Sequence, residues 1–346
     1  MEARFMGCQY RTGHALRSSE RECCCLRMGC AYNRRERALS DGTSRKGPEM
    51  LKDIQSITDQ IEERDGLYLG QWRQPVNSAI HVAGSIHDDS MASRLGFRGG
   101  TVSGAVHLDL FPPLMLRAFG KRWFERGGVS IYWLDPTVDR EEVRAVIAVP
   151  PQENDVQVQT WAERPDGRRI GEGTAFVGNP NEPSALMARD IIRYPAGELR
   201  ILEKASVGDR FPEMTVEVTP ELKDWRLQVI TDPLPWYDSA SPWGGPIATP
   251  YHLVDNLMMI PFNGYLNPVR QTEPVSLYGA IELRYVNGPV FTGKPYRGGG
   301  TIASLGQSPK TEHLWLDAYL DDLDGKRVAT MRMMYRFMKD SSPLYQ

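Results

Sequence analysis

The chain has 346 residues, of which 41% are hydrophobic and 25% charged, and its formal net charge is −3. This is the composition of a globular protein long enough for two domains or one doubled domain. The charge balance lacks the basic excess of nucleic-acid-binding proteins, and no run of about 20 apolar residues predicts a membrane span. The first 50 residues also lack the apolar core of a secretory signal, so we expect a cytoplasmic protein.

The first 49 residues differ from the rest of the chain. They carry ten Lys or Arg against six Asp or Glu and show little apolar periodicity. We therefore expect residues 1–49 to be a disordered or non-native extension, with Met50 as a plausible start. A mitochondrial presequence is the alternative, although the acidic residues count against it. All five cysteines lie in this segment, and three of them are adjacent with no histidine at zinc-ligand spacing, so no metal site is expected. They are Cys8, Cys23, Cys24, Cys25 and Cys30.

The first half of the body predicts one helix followed by four strands. Apolar residues recur at helical spacing over 101–119, where Pro112 and Pro113 should interrupt the helix. Asp166-Gly167 predicts a hairpin turn between the last two strands. The four predicted strands are 129–135, 142–150, 155–162 and 169–177.

The second half repeats this order. A helix is predicted over 249–260, and Asp324-Gly325 again precedes the last strand. The two helix entrances are offset by about 145 residues, so we expect a doubled α+β unit. The predicted strands are 277–286, 295–305, 311–321 and 326–338. The expected domains are an N-terminal unit over 50–180, a proline-containing linker over 181–206 and a C-terminal unit over 207–346.

Three short motifs accompany this order: Ile86-His87-Asp88-Asp89, the glycine-rich run 95–104, and Val207-Gly208-Asp209. With them the chain resembles the MaoC-like double hotdog family over residues 66–340. The resemblance implies two antiparallel sheets, each wrapped around a central helix and packed as a pseudo-dimer. It also implies (R)-specific enoyl-CoA hydratase or dehydratase chemistry on an acyl thioester, with no cofactor and with a possible homodimer.

The family's catalytic signature is Asp-x-Asn-Pro-(Leu/Ile)-His, and His87 matches its histidine. Val82 stands where the signature has Asp. The resemblance makes His87 the candidate general base, oriented by Asp88, Asp89 or another group. The alternative is a loop histidine beside a short helix at 89–95 that Asp88 or Asp89 caps.

The second half departs from the signature in the opposite way. Asp232 and Pro235 match it, but Tyr237 replaces the histidine. Asp232 and Tyr237 could form a second site in which the phenol binds an oxyanion. The alternative is a degenerate half that only shapes the pocket.

The run before the first central helix carries the candidates for binding the thioester carbonyl: Gly99, Gly100, Ser103 and Gly104. Glycine allows a ligand to approach backbone N–H groups at a helix start closely. The same glycines also suit a tight turn and close packing of helix on sheet.

Three further hypotheses remain open. Asp109 lies in the first helix, Asp255 lies at nearly the same place in the second, and hotdog thioesterases use a carboxylate on this helix. Asp109 is therefore the alternative catalytic residue, for thioester hydrolysis. His107 and His252 also match across the repeat, and we expect both to be core residues. The other two hypotheses are a cyclase or isomerase of a natural-product intermediate and a non-catalytic acyl-binding subunit.

Overall fold

The structure is a computed structural model that describes residues 53–191 and 197–346. The predictions for residues 1–49, including the cysteines, lie outside the described residues. No helix of the described part is long and apolar enough to cross a membrane.

The helices of the first half have at most eight residues, and the second half contains two longer ones of ten and twelve residues. The helices of the first half are α1 (Ile54–Thr58), α2 (Asp89–Arg94), α3 (Gly104–Leu108), α4 (Pro112–Phe119) and α5 (Arg122–Arg126). Those of the second half are α6 (Pro220–Val229), α7 (Pro250–Pro261) and α8 (Asn267–Val269). A π-helical turn, Phe262–Leu266, joins the last two, and 3-10 turns lie at Pro235–Tyr237, Lys339–Ser341 and Pro343–Tyr345.

Strands of the first half are β1 (Glu62–Arg64), β2 (Leu67–Leu69), β3 (Gly127–Trp133), β4 (Arg144–Ala148), β5 (Val156–Glu163) and β6 (Arg169–Val177). Strands of the second half are β7 (Arg210–Val216), β8 (Ser276–Tyr285), β9 (Tyr296–Gln307), β10 (Thr311–Asp321) and β11 (Arg327–Met338). Below, the N-terminal half is the part with β1–β6 and the C-terminal half the part with β7–β11.

All eleven strands form one antiparallel sheet in the order β1-β2-β4-β5-β6-β3-β8-β11-β10-β9-β7. Outward from the centre, the order β3-β6-β5-β4-β2 in one half matches β8-β11-β10-β9-β7 in the other. The halves meet where β3 pairs with β8 and Ile131 lies opposite Ile281. The predicted repeat is therefore confirmed, and its two sheets are hydrogen-bonded edge to edge.

The eight predicted strands all form, and each predicted boundary lies within two residues of the observed one. The first predicted helix is interrupted at the prolines. Helix α4 begins at Pro112, because proline fits the first turn of a helix but not its interior. Gly167 and Gly325 adopt positive φ in the two Asp-Gly turns, as a tight hairpin requires.

The capping residues give the true offset between the central helices. Ser103 caps α3 and Thr249 caps α7, an offset of 146 residues. Asp109 and Asp255 are therefore equivalent, six residues after their caps. His107 and His252, which match at an offset of 145, differ by one helical position, so the predicted match of the histidines is off by one residue.

The core lies between the sheet and the central helices. Helices α3 and α7 contact each other directly, so the cores of the two halves are continuous. The connection between the halves packs against the sheet, where Leu186 contacts a separate small cluster made of Ala280, Trp315 and Met334.

Candidate functional site

His87 lies immediately before α2 and is held against the entrance of α3. The Thr101 N–H donates to the Ile86 carbonyl at 2.9 Å, and His87 Nδ1 lies 2.6 Å from the Thr101 carbonyl oxygen. A carbonyl only accepts hydrogen bonds, so Nδ1 carries the proton and Nε2 keeps the lone pair. Burial lowers the pKa of His87 below its ordinary 6.5, although the bond to Thr101 opposes this. The imidazole is therefore neutral at pH 7.

The second imidazole nitrogen of His87 is open. Nε2 makes no hydrogen bond to a described residue, and it is absent from the buried polar atoms that lack a partner. The side chain as a whole is half-buried. An accessible lone pair on a fixed tautomer is what a general base requires.

Neither neighbouring carboxylate orients this imidazole. Asp88 caps α2 and accepts from the Ser90 and Gly84 N–H groups, both at 2.9 Å. Asp89 Oδ1 accepts from the Gly100 N–H at 2.7 Å. The expected short helix is present, and it ends at Arg94. Asp88 and Asp89 thus shape the loop, while the Thr101 carbonyl fixes His87, a partner that the sequence did not reveal.

The glycine run has a packing role at two of its positions. A Cβ on Gly100 would lie 2.2 Å from the His87 carbonyl oxygen. The backbone N–H of Gly100 donates its hydrogen bond to Asp89. Gly99 lies beside Asp89, which a Cβ there would approach to 3.2 Å. Gly100 is therefore a structural residue, and its N–H is not free for an oxyanion.

Two N–H groups at the start of α3 differ from that of Gly100. The backbone N–H groups of Ser103 and Gly104 make no hydrogen bond to a described residue. Trp133 packs on this helix start so closely that a Cβ on Gly104 would lie 2.5 Å from its Nε1. The Trp133 indole N–H is buried and has no acceptor among the described residues. Trp133 was predicted only as a strand residue, so sequence reasoning missed this donor.

His107 is a core residue, as expected. It is 3% exposed, its Nε2 lies 2.7 Å from Thr137 Oγ1, and its ring is 5.7 Å from that of Trp133. Burial lowers its pKa to about 4. His252 is equally buried, and its pKa is also lowered to about 4.

The C-terminal half repeats the entrance with different side chains. The Ile247 N–H donates to the Trp236 carbonyl at 2.9 Å, as Thr101 does to Ile86, so Tyr237 occupies the position of His87. Tyr237 is completely buried, and its hydroxyl has no partner among the described residues. Pro250, which has no N–H, occupies the position of Gly104.

Asp232 is paired across the halves and does not act on Tyr237 through a hydrogen bond. Its Oδ1 lies 2.7 Å from Arg73 Nε and 2.6 Å from Arg73 Nη2. Burial is the main reason that the pKa of Asp232 is raised to about 6, and the charge of Asp109 adds to it. The charge of Asp232 in turn helps to raise the pKa of Tyr237, so the two residues are near each other.

Asp109, the alternative catalytic residue, is inaccessible. Its side chain is fully buried and its Oδ2 accepts from Arg226 Nε at 2.8 Å, while Oδ1 accepts from the Tyr251 N–H at 2.9 Å. A carboxylate that is held on both oxygens and closed to solvent cannot reach a thioester. Across residues 53–191 and 197–346, no group of three His, Cys, Asp or Glu side chains could hold a metal ion.

No protein-family model matches the chain, and no curated protein matches it in sequence. A solved structure from Chloroflexus aurantiacus J-10-fl, named as a MaoC domain protein dehydratase, matches with a TM-score of 0.55 over 85% of this chain and 99% of that one. The chain has the double hotdog fold. With 12% identity, the match shows this shared fold alone.

Two other solved double-length structures are similar. One is named as a MaoC-like dehydratase, with 17% identity, a TM-score of 0.47 and coverage of 79% of this chain and 98% of that one. The other is from Mycobacterium tuberculosis and is described as having a double hotdog fold. It shows 12% identity, a TM-score of 0.49 and coverage of 81% and 98%. In this chain, the two wrapped helices of the hotdog pair are α3–α4 and α7.

Proposed function

We propose that this double hotdog protein is a hydratase or dehydratase of an acyl thioester and that His87 transfers the proton. The observation that carries the proposal is the accessible Nε2 of His87, opposite an Nδ1 that is bound to the Thr101 carbonyl. The N-terminal half would hold the reaction centre.

One neutral imidazole can serve both proton transfers of a dehydration. Nε2 takes the proton from the carbon next to the thioester carbonyl of a 3-hydroxyacyl thioester. The carbon–carbon double bond forms as the carbon–oxygen bond breaks, and the same Nε2 returns the proton to the departing hydroxyl as water. Hydration is the reverse. This scheme needs no second carboxylate, which suits a chain with Val82 at the signature's Asp position.

The start of α3 can stabilise the negative charge that develops on the thioester oxygen. The Ser103 and Gly104 N–H groups are hydrogen-bond donors without an acceptor among the described residues. Donors fixed before the reaction are worth about 2.7–4 kcal/mol each when an oxyanion forms. They lie a few residues after Thr101, which holds His87.

The comparison between the halves favours the N-terminal site. At the equivalent positions the C-terminal half has Tyr237, which is closed to solvent, and Pro250, which lacks an N–H. That half therefore has no accessible base, and it lacks the second of the two amides. Asp232 and Tyr237 then belong to a degenerate half whose polar groups are enclosed in the core.

The test is turnover of enoyl-CoA and 3-hydroxyacyl-CoA thioesters of several chain lengths by the full chain, with free thiol measured in parallel. His87→Asn keeps a donor for the Thr101 carbonyl but removes the base, so we expect a loss of at least 100-fold in kcat. Tyr237→Phe is the matched control and should keep wild-type turnover. Equal activity of His87→Asn, thiol release without hydration, or acyl binding without any turnover would each overturn the proposal, the last two in favour of a thioesterase and an acyl-binding subunit.

A further inference from the structure

An open cleft lies where the two halves meet at the start of β3. Its volume is about 340 Å³, which is within the range of clefts that bind small molecules. The N-terminal half contributes Arg126, Gly178 and Asn179 to its lining, and the C-terminal half contributes residues 284–287. A ligand in this cleft would therefore contact both halves.

Main-chain hydrogen bonds fix the walls of the cleft. The Gly178 N–H donates to the Arg126 carbonyl at 2.9 Å, which holds the end of β6 against the start of β3. The Gly288 N–H donates to the Glu125 carbonyl at 2.8 Å, which holds the chain after β8 against the end of α5. The cleft is therefore formed before a ligand arrives.

Arg284 projects into this region from the sheet face opposite the central helices. Its neighbours on β8, Leu283 and Tyr285, belong to the main core, and side chains alternate between the two faces of a strand. The Arg284 guanidinium lies 5.6 Å from the centre of the Phe176 ring, and Nη2 donates to Asn179 Oδ1 at 2.6 Å and to the carbonyl of the residue before it at 3.2 Å. Nε and Nη1 donate to no described residue, so the guanidinium is held in place with donors to spare.

Arg126 is the second cation of the cleft. Its side chain is 48% exposed and donates no hydrogen bond to a described residue. Asp155 Oδ1 lies 3.8 Å from Arg126 Nη2, which is beyond hydrogen-bond distance. That carboxylate oxygen accepts instead from the Asn179 N–H at 2.9 Å. The Arg126 guanidinium is therefore available to an incoming anion.

The charge of the cleft is positive. None of its lining residues is acidic. Glu282, on the same strand as Arg284, is buried and accepts from the Ser184 hydroxyl. Two guanidinium groups without a hydrogen-bonded carboxylate attract a dianion, and arginine forms paired hydrogen bonds with the oxygens of phosphate.

We propose that this cleft binds an organic phosphate monoester at a site separate from His87, with Arg126 and Arg284 holding the phosphate group. Such a group carries between about 1.5 and 2 negative charges at pH 7, which two guanidinium groups can balance. Arginine suits this task because its planar guanidinium presents a fixed fork of donors.

The rest of the cleft suits the organic part of the ligand. The cleft is larger than a phosphate group, and Val286 gives it an apolar lining residue. Asn287 Nδ2 donates to the Arg327 carbonyl at 2.8 Å, so its Oδ1 remains as an acceptor for a hydroxyl group. Inorganic phosphate would use the two arginines alone.

The cleft is distant from the proposed reaction centre. Strand β3 has seven residues and rises about 3.3 Å per residue, so its ends are about 20 Å apart. The cleft lies at the Gly127 end, whereas Trp133 at the other end packs on the start of α3. The phosphate ligand is therefore distinct from the acyl group that would react at His87.

The test is isothermal titration calorimetry of the full chain at pH 7.5, in a buffer without phosphate, with phenyl phosphate, phenol and inorganic phosphate. We expect phenyl phosphate to bind at one site per chain and at least tenfold more tightly than the other two. Arg126→Gln and Arg284→Gln should each weaken this binding at least tenfold. Arg169→Gln is the matched control, since its side chain is 43% exposed and lies at the end of β6 remote from the cleft.

Four results would overturn the proposal. They are no saturable binding of phenyl phosphate, equal affinity for phenyl phosphate and phenol, unchanged binding in Arg126→Gln, or an equal loss in Arg169→Gln. Inorganic phosphate that binds as tightly as phenyl phosphate would reject the organic ligand. The comparison of the three compounds uses the wild-type chain, so the proposal is testable even if Arg284→Gln disturbs folding.

Discussion

Asp109 and Arg226 form an ion pair that solvent does not reach. Arg226 Nη2 lies 2.7 Å from Asp109 Oδ2, and both side chains are 0% exposed. Asp109 follows α3 in the N-terminal half and Arg226 belongs to α6 in the C-terminal half, so the pair links the halves through the core. The Arg226 guanidinium also stacks on the Tyr251 ring at 4.4 Å.

Breaking this pair should destabilise the fold. Arg226→Met leaves Asp109 as a buried charge without a counter-ion, and such changes cost about 3–5 kcal/mol. The measurement is urea unfolding followed by circular dichroism. The double variant Asp109→Leu/Arg226→Met removes both charges and should recover most of the loss. A cost below about 1 kcal/mol for the single variant would show that the pair does not hold the halves together.

Activity should depend on the ionisation of His87. The pKa of its imidazole lies below 6.5 because burial disfavours the charged form. The base form therefore persists into mildly acidic solution. We expect kcat/KM to rise with pH, with the midpoint of the rise at a pH below 6.5, and then to stay level up to neutral pH. A rise centred above 7 would be inconsistent with His87 as the base in this environment.

Asp255 should make stability depend on pH. Its pKa is about 6 in the folded chain and about 3.8 when exposed, so the folded state binds more protons between these values. Stability contributed by the protonated form is then lost as pH rises from about 4 to about 6. Tyr278 and the paired Arg226 are the ionisable groups that act on it, and neither titrates in this range.

The variant Asp255→Asn isolates this contribution. At pH 7.5 it removes an unpaired carboxylate, and because solvent screens this exposed side chain the thermal midpoint should rise by only about 1–2 °C. Near pH 4 the two proteins should unfold alike. Differential scanning calorimetry at both values makes the comparison. A variant that is less stable at pH 7.5 would mean that Asp255 has a partner in the folded chain.

The sequence predicts most of the sheet because its strands alternate in polarity and end at Asp-Gly turns, and both signals are local. The hairpin of β1 and β2 was not predicted, since each strand has only three residues. Helix α6 was also missed. Its only fully buried residue is Arg226, so it lacks the apolar periodicity that indicates a helix.

The candidate site was only partly predictable, for a related reason. The motif located His87 and the start of α3, but the partners come from tertiary contacts. Thr101 orients His87 through its backbone carbonyl oxygen. Every residue has this group, so the sequence does not indicate which residue will provide it. Asp109 resembled a catalytic carboxylate until Arg226, 117 residues away, was seen to bury it.

Proton exchange at the reacting carbon tests the central claim most directly. A 3-hydroxyacyl-CoA thioester incubated with the protein in D₂O would be followed by NMR at the carbon next to the thioester carbonyl. We predict that the wild-type protein exchanges this proton for deuterium and that His87→Asn does not, while Tyr237→Phe does. Exchange by His87→Asn at the wild-type rate would contradict the assignment of His87 as the proton-transfer group.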